Sequence, residues 1–142
     1  MNNENQDIHI AKYISRLHKE GRSFVNKEVS KYGIKSGQVF FLIELYKEEG
    51  RSQEDIAESL HIDKATTARA LCKLEEEGFV KREKDKKDKR FNSIYLTEKS
   101  KGLKSDIYGV INQWHKKMGD CLTKDEEMLL KKLLEKVCNN IN

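Results

Sequence analysis

Apolar positions along this chain recur mostly at helical spacing. In "QDIHIAKYISRLHKE", residues 6–20, Ile10, Ile14 and Leu17 fall on one stripe with Tyr13 beside it, which predicts an amphipathic helix. A second helix is predicted from Ser36, as N-cap, to about residue 48. Its "VFFLIELY" run is apolar on nearly every side and marks the most buried helix, and Gly50 stops it.

The next thirty residues, "RSQEDIAESLHIDKATTARALCKLEEEGFV", read as two further helices. Ser52 stands three residues before Asp55, close to a capping box, and Ile56, Ala57 and Leu60 give the short helix an inward face. His61 and Ile62 form a turn. Asp63 caps the following helix, which Gly78 terminates. In that helix Thr67, Leu71 and Leu74 share one face. Ala65, Arg69, Cys72 and Glu76 point the other way, with Thr66, Ala68 and Lys73 on the flanks.

Residues 79–82 and 91–97 then read as strands. Ile94 and Leu96 alternate inward against Ser93 and Tyr95 outward, so a two-stranded hairpin is expected to lean on the helices. Two helices close the chain, over residues 98–119 and 124–137. The first carries Leu103, Ile107, Val110, Ile111 and Trp114, and the second Met128, Leu129, Leu133, Leu134 and Val137. A small winged domain has no room to bury both. They are expected to form a helical layer with the first helix and to cover their apolar faces against a second copy of the chain. The fold class is mainly α with a small β-hairpin wing.

Composition narrows the function. The chain has 142 residues, 37% apolar and 37% charged, with no proline and eight glycines. That size fits one domain. Without an apolar run of about 20 residues or a signal-like start, a cytoplasmic location without membrane contact is expected. Cys72, Cys121 and Cys138 form no close pair, and the four histidines are scattered, so no metal site and no cofactor are expected. Neither GxGxxG, a Walker loop, HExxH nor CxxC occurs, and an enzyme is not expected.

Charge is concentrated. Residues 81–90 hold seven bases against three acids, a local excess equal to the +4 of the whole chain. Such a run is ordinarily solvated surface. Here it forms the tip of a hairpin directly after a helix pair, where Lys84, Lys86, Lys87, Lys89 and Arg90 could meet a minor groove or flanking phosphates. A short helix, a turn and a second helix with small residues at its start is the helix-turn-helix arrangement. "KATTAR" is slim enough to enter a major groove, with Arg69 offering a fork to guanine and Thr66 a base or phosphate contact. Ser52 and Gln53, at the preceding helix start, are placed for phosphate, and Lys73 joins the candidate set from the flank. Glu75, Glu76 and Glu77 would repel phosphate unless they point away from the backbone.

The stretch from Gln53 to Ser100, including "DKR" and "LTEKS", resembles the winged core of the multiple-antibiotic-resistance regulator (MarR) family. The similarity begins near "YGIKSGQVFFLIEL" and, with the flanking helices, covers nearly the whole chain. Asp88, Lys89 and Arg90 match its Asp-x-Arg wing element. Ser100 stands where the family usually has glycine, and Thr67 where it usually has an apolar β-branched residue.

The resemblance implies one domain over residues 1–142, with a DNA-binding core at 32–97 and a helical dimerisation region at 4–30 and 98–142. It also implies a homodimer on an inverted-repeat, double-stranded operator, usually as a repressor, and in many members release by a small anionic or aromatic effector. Lys64, Ala65, Thr66, Ala68 and Arg69 match the family's recognition positions, and Asp88 and Arg90 its wing pair. Two alternatives remain: a protein-interaction module that has lost DNA contact, and a redox-responsive regulator using Cys72.

Overall fold

A computed structural model describes residues 9–141. The expected first helix and helical region therefore extend, over residues 4–8 and at residue 142, outside the described part. Helix α1 (His9–Val29) runs well beyond residue 20, because Gly21 continues the helix and lets the Trp114 ring approach. A Cβ there would stand 3.0 Å from the indole. A 3-10 turn leads to α2 (Ser36–Lys47). Ser36 is not its N-cap, as expected, but its first helical residue. Lys35 holds the extended cap position, where its N–H donates to Gln38 Oε1 at 3.0 Å.

Strand β1 (Arg51–Ser52), α3 (Gln53–Leu60), α4 (Lys64–Glu76), β2 (Val80–Lys84) and β3 (Asn92–Leu96) form the winged part. The sheet has three antiparallel strands in the order β1-β3-β2, not the two expected. Arg51 pairs with Ile94 and Ser52 with Ser93. Ser93, expected to face solvent, stays on the face opposite Ile94 and Leu96 but is only 8% exposed where β1 runs alongside it. Gly50 makes the approach possible: its φ is +78°, its N–H donates to the Ile94 carbonyl at 2.8 Å, and the Tyr95 ring lies 3.3 Å from where a Cβ would be.

The expected helix over 98–119 is broken into α5 (Glu98–Gly102) and α6 (Lys104–Gly119) at Leu103. Ser100 explains how its non-glycine side chain is housed. It is fully buried, with its hydroxyl donating to the Phe79 carbonyl and its own carbonyl accepting from Tyr46 Oη at 2.6 Å. Helix α7 (Lys124–Asn140) starts on a capping box between Thr123 and Glu126.

One core joins Val25 and Val29 of α1, Phe41, Leu42 and Leu45 of α2, Ile56, Leu71, Leu74, Phe79, Ile94 and Leu96, and Ile107 and Val110 of α6. The helical region is thus not a layer apart, because α1 and α6 close the winged core. Helix α7 is different: none of its residues is buried, and Leu129, Leu133, Leu134 and Val137 are exposed along with Ile10, Tyr13, Ile14 and Leu17 of α1. Among the described residues no helix is long and apolar enough to cross a membrane.

Two of the buried polar groups bear on stability. The Thr67 hydroxyl is buried and has no hydrogen-bond partner. Thr67→Val keeps the shape and removes the stranded group, so it is expected to stabilise the chain by about 1 kcal/mol. The urea midpoint should rise with an unchanged slope. Glu44, buried in α2, accepts from Arg51 Nη2 at 2.7 Å, Ser59 Oγ at 2.9 Å and Lys47 Nζ at 3.3 Å. Burial raises the Glu44 pKa, but the hydrogen bonds from Arg51, Ser59 and Lys47 outweigh it, and the net value lies below the ordinary 4.5. A depressed folded-state pKa contributes stability above the unfolded value, lost as pH falls through the folded one. The stability gap between wild type and Glu44→Gln should therefore be widest near neutrality and close below pH 4.5. Parallel urea midpoints across pH 3–7 would remove Glu44 from the acid response.

Candidate nucleic-acid interface

The α3–α4 turn is built by its capping residues. The Ser52 hydroxyl accepts from the Asp55 N–H at 3.1 Å at the start of α3. His61 ends that helix at φ 53°, and the Ile62 N–H closes the turn on the Ala57 carbonyl at 3.0 Å. Asp63 then caps α4, with Oδ1 accepting from the Thr66 N–H at 2.7 Å. Burial of Thr67, Leu71 and Leu74 fixes the roll of α4. Lys64, Ala65, Thr66, Arg69, Cys72 and Lys73 are therefore exposed and Ala68 half-buried, as the helical wheel predicts.

Contacts among these residues add what the wheel could not. Thr66 Oγ1 donates to Asp63 Oδ2 at 2.7 Å and accepts from Arg69 Nη2 at 3.2 Å. Hydrogen bonds from the Thr66 N–H and hydroxyl hold the Asp63 carboxyl below its usual range. Asp63, Thr66 and Arg69 thus form a chain along the exposed face, in which Thr66 orients the arginine and its own hydroxyl proton is already committed. The bases at the wing tip are arranged the same way. Asp85 Oδ1 accepts from the Lys87 and Asp88 N–H groups at 2.7 and 3.3 Å, which folds the turn.

Asp88 grips Arg90 with both oxygens. Nε donates to Oδ1 at 3.0 Å and Nη2 to Oδ2 at 2.8 Å, while the Arg90 N–H donates to Oδ1 at 3.1 Å. The guanidinium holds the Asp88 carboxyl below its usual range and is itself raised. The Arg90 side chain remains 84% exposed, so the clasp aims a free cation outward without covering it.

The acids at the end of α4 face protein partners. Glu75 Oε2 accepts from the Arg82 N–H at 3.2 Å and Glu77 Oε2 from Gln38 Nε2 at 3.4 Å. Glu76 Oε1 lies 3.8 Å from Cys72 Sγ, which the thiol approaches as donor. Cys72, Cys121 and Cys138 are free and exposed. Ser52 and Gln53 are half-buried at the foot of α3, and Gln53 Oε1 accepts from Arg82 Nη1 at 3.4 Å, so only its amide donors remain available. Sequence reasoning missed Arg82, counting it among the solvated charges. Strand alternation was the available signal, since it places Arg82 on the inward side with Val80.

These features define a winged helix-turn-helix protein: a slim, exposed second helix, a cationic ribbon beside it, and Glu75 and Glu77 turned aside while Glu76 stays on the exposed face near the helix end. The MarR family model matches residues 34–91. A helix-turn-helix transcriptional regulator, BilQ of Clostridium symbiosum, is 30% identical over 89% of this chain and 88% of its own length. Among solved structures, a MarR transcriptional regulator from Methanosarcina mazei is 39% identical over 93% of this chain and 95% of that one, with a TM-score of 0.87. A MarR protein from Peptoclostridium difficile reaches 0.93 at 28% identity over 99% of this chain and 92% of that one. The chain belongs to the MarR family and is a DNA-binding transcriptional regulator.

Proposed function

We propose that the protein is a cytoplasmic, sequence-specific regulator, a repressor, that binds an inverted-repeat duplex as a homodimer. The observation that carries the reading is the chain from Asp63 through Thr66 to Arg69 on the exposed face of α4, which presents one oriented guanidinium in the first turns of a slim helix. Arg69 would read guanine in the major groove, with Lys64, Ala65 and Ala68 forming the close-fitting face and Thr66 positioning the arginine. Ser52, Gln53 and Lys73 would hold phosphates, and the Asp88–Arg90 clasp would lay its cation near the minor groove.

The dimer reading rests on α7, whose apolar face has nothing to cover it among the described residues. A cleft of about 570 Å³ between α1 and α6 supports release by a small anionic or aromatic effector. Phe24 and Trp114 supply aromatic surface there, and Arg16, Lys27 and Lys117 supply positive charge. Tyr13 and Leu17 belong both to this cleft and to the exposed stripe of α1, so a bound effector would lie against the seam between subunits.

Selection of a random duplex library by the protein should yield an inverted repeat. On that duplex Arg69→Ala is expected to cost about 1–3 kcal/mol, and much less on unselected DNA, whose binding is mainly electrostatic. Equal losses on both would make Arg69 a phosphate anchor and move the specificity elsewhere on α4. Sedimentation equilibrium at low micromolar concentration should return twice the 16.6 kDa chain mass. A stable monomer would overturn the paired-site reading.

A further inference from the structure

We infer that Arg82 is the strut that holds the wing at a fixed distance from the recognition helix, and that Arg90 depends on it for its place on DNA. The inference rests on the DNA-binding reading and adds a positioning residue to it. Arg82 lies at the middle of β2, opposite Ile94, and its side chain is only 21% exposed. It touches three parts of the helix pair. Nη1 donates to Gln53 Oε1 at the start of α3 at 3.4 Å, and Nη2 to the Ala68 carbonyl in the middle of α4 at 3.5 Å. Toward the end of α4, Nε stands 3.7 Å from Glu75 Oε1, an ion-pair separation, while its backbone N–H donates to Glu75 Oε2 at 3.2 Å.

Beyond Arg82 the ribbon is held by one more pairing, Ser93 of β3 with Ser52 of β1, and past that level it has no tether among the described residues. The hydrogen bonds of residues 83–92, among the described residues, stay within the ribbon: the ladder pairs Glu83 with Ser93 and Lys84 with Asn92, and the tip is closed by Asp85, Asp88, Arg90 and Phe91. A two-stranded ribbon of this kind twists and bends readily. Its tip therefore takes its direction from the last point at which it is tied down, and on β2 that point is Arg82. A lysine could supply the charge but not the planar fork that reaches Gln53 and Ala68 together. Arg82 is too enclosed to serve phosphate itself, its Nε being buried with Glu75 Oε1 as its nearest charge and no hydrogen bond of its own. The fold beneath does not depend on it, since Val80, Ile94, Leu96, Leu71 and Leu74 are buried by apolar contact.

The test is a double-mutant cycle on the duplex that wild-type protein enriches from a random library. Wild type, Arg82→Gln, Arg90→Ala and the double variant are titrated over a salt series, with thermal melts confirming that each is folded. Each single change is expected to weaken binding and lower the slope of log K against log salt by about one phosphate contact. The double variant should fall no further than the weaker single one, because a misplaced Arg90 has already lost its contact. Arg82→Lys should resemble Arg82→Gln.

Losses that multiply, with a slope lowered by about two, would show an independent DNA contact and overturn the strut. Wild-type affinity in Arg82→Lys would overturn it as well. If Arg82→Gln melts below the assay temperature, Glu75→Ala removes the helix-side part of the tether, the ion pair with Nε and the acceptor of the Arg82 N–H, and completes the cycle under the same criteria. Failure of wild type to enrich any duplex would overturn the DNA reading and the strut together. Enrichment with additive losses would overturn the strut alone.

Discussion

The burial of one narrow face of α4 is the constraint from which the rest of the surface follows. Thr67, Leu71 and Leu74 are at zero exposure against α2, α3 and the sheet, and a helix held on that face has no freedom to roll. The opposite face must then be the one that carries Ala65, Thr66, Arg69 and Cys72. Asp63 fixes where the helix begins, and so which residues occupy its first two turns. The stranded hydroxyl of Thr67 makes the same point from inside: the position is packed tightly enough to exclude water even from a group that wants it.

Charge is arranged by attaching each acid to a partner that leaves a base free. Asp88 spends both oxygens on Arg90, yet the guanidinium stays outside. Glu75 and Glu77 turn to Arg82 and Gln38, away from the exposed face of α4. Acids therefore aim cations here more than they cancel them. A count of charges along residues 81–90 cannot express this, because Arg82 and Arg90 weigh the same in it although one is half-buried against the helix pair and the other stands exposed at the tip.

Much of this was legible before any coordinates. The α3–turn–α4 unit follows from Ser52, Asp63, Gly78 and the Thr67–Leu71–Leu74 face, all signals local to a few residues. The wing was legible too, from the Ile94 and Leu96 alternation. What failed had long-range causes. Strand β1 is only two residues and exists because β3 offers it an edge, which no local pattern of Arg51 and Ser52 announces. Ser93 is covered rather than solvated where β1 pairs with it. Helix α1 continued past residue 20 because Trp114, far along the chain, packs on Gly21. The orientation of Arg69 by Thr66 required the side-chain rotamers, so sequence could place both residues on the face without relating them.

The position of α7 gives these local arrangements their consequence. One helix and one wing present few contacts, and single winged modules bury modest surface on DNA. Two such units joined rigidly would convert the second engagement into an intramolecular event at high effective concentration. Rigidity is the condition: if the wings or helices could drift, the half-site spacing of about one helical turn would not be read. Helices α1 and α6 meet that condition within each chain, because Val25, Val29, Ile107 and Val110 are embedded in the same core as Leu71 and Leu74. On the dimer reading proposed above, a second copy would meet that rigid unit through the exposed stripe of α1, Ile10, Tyr13, Ile14 and Leu17, as well as through α7, none of whose residues is buried in the chain's own core.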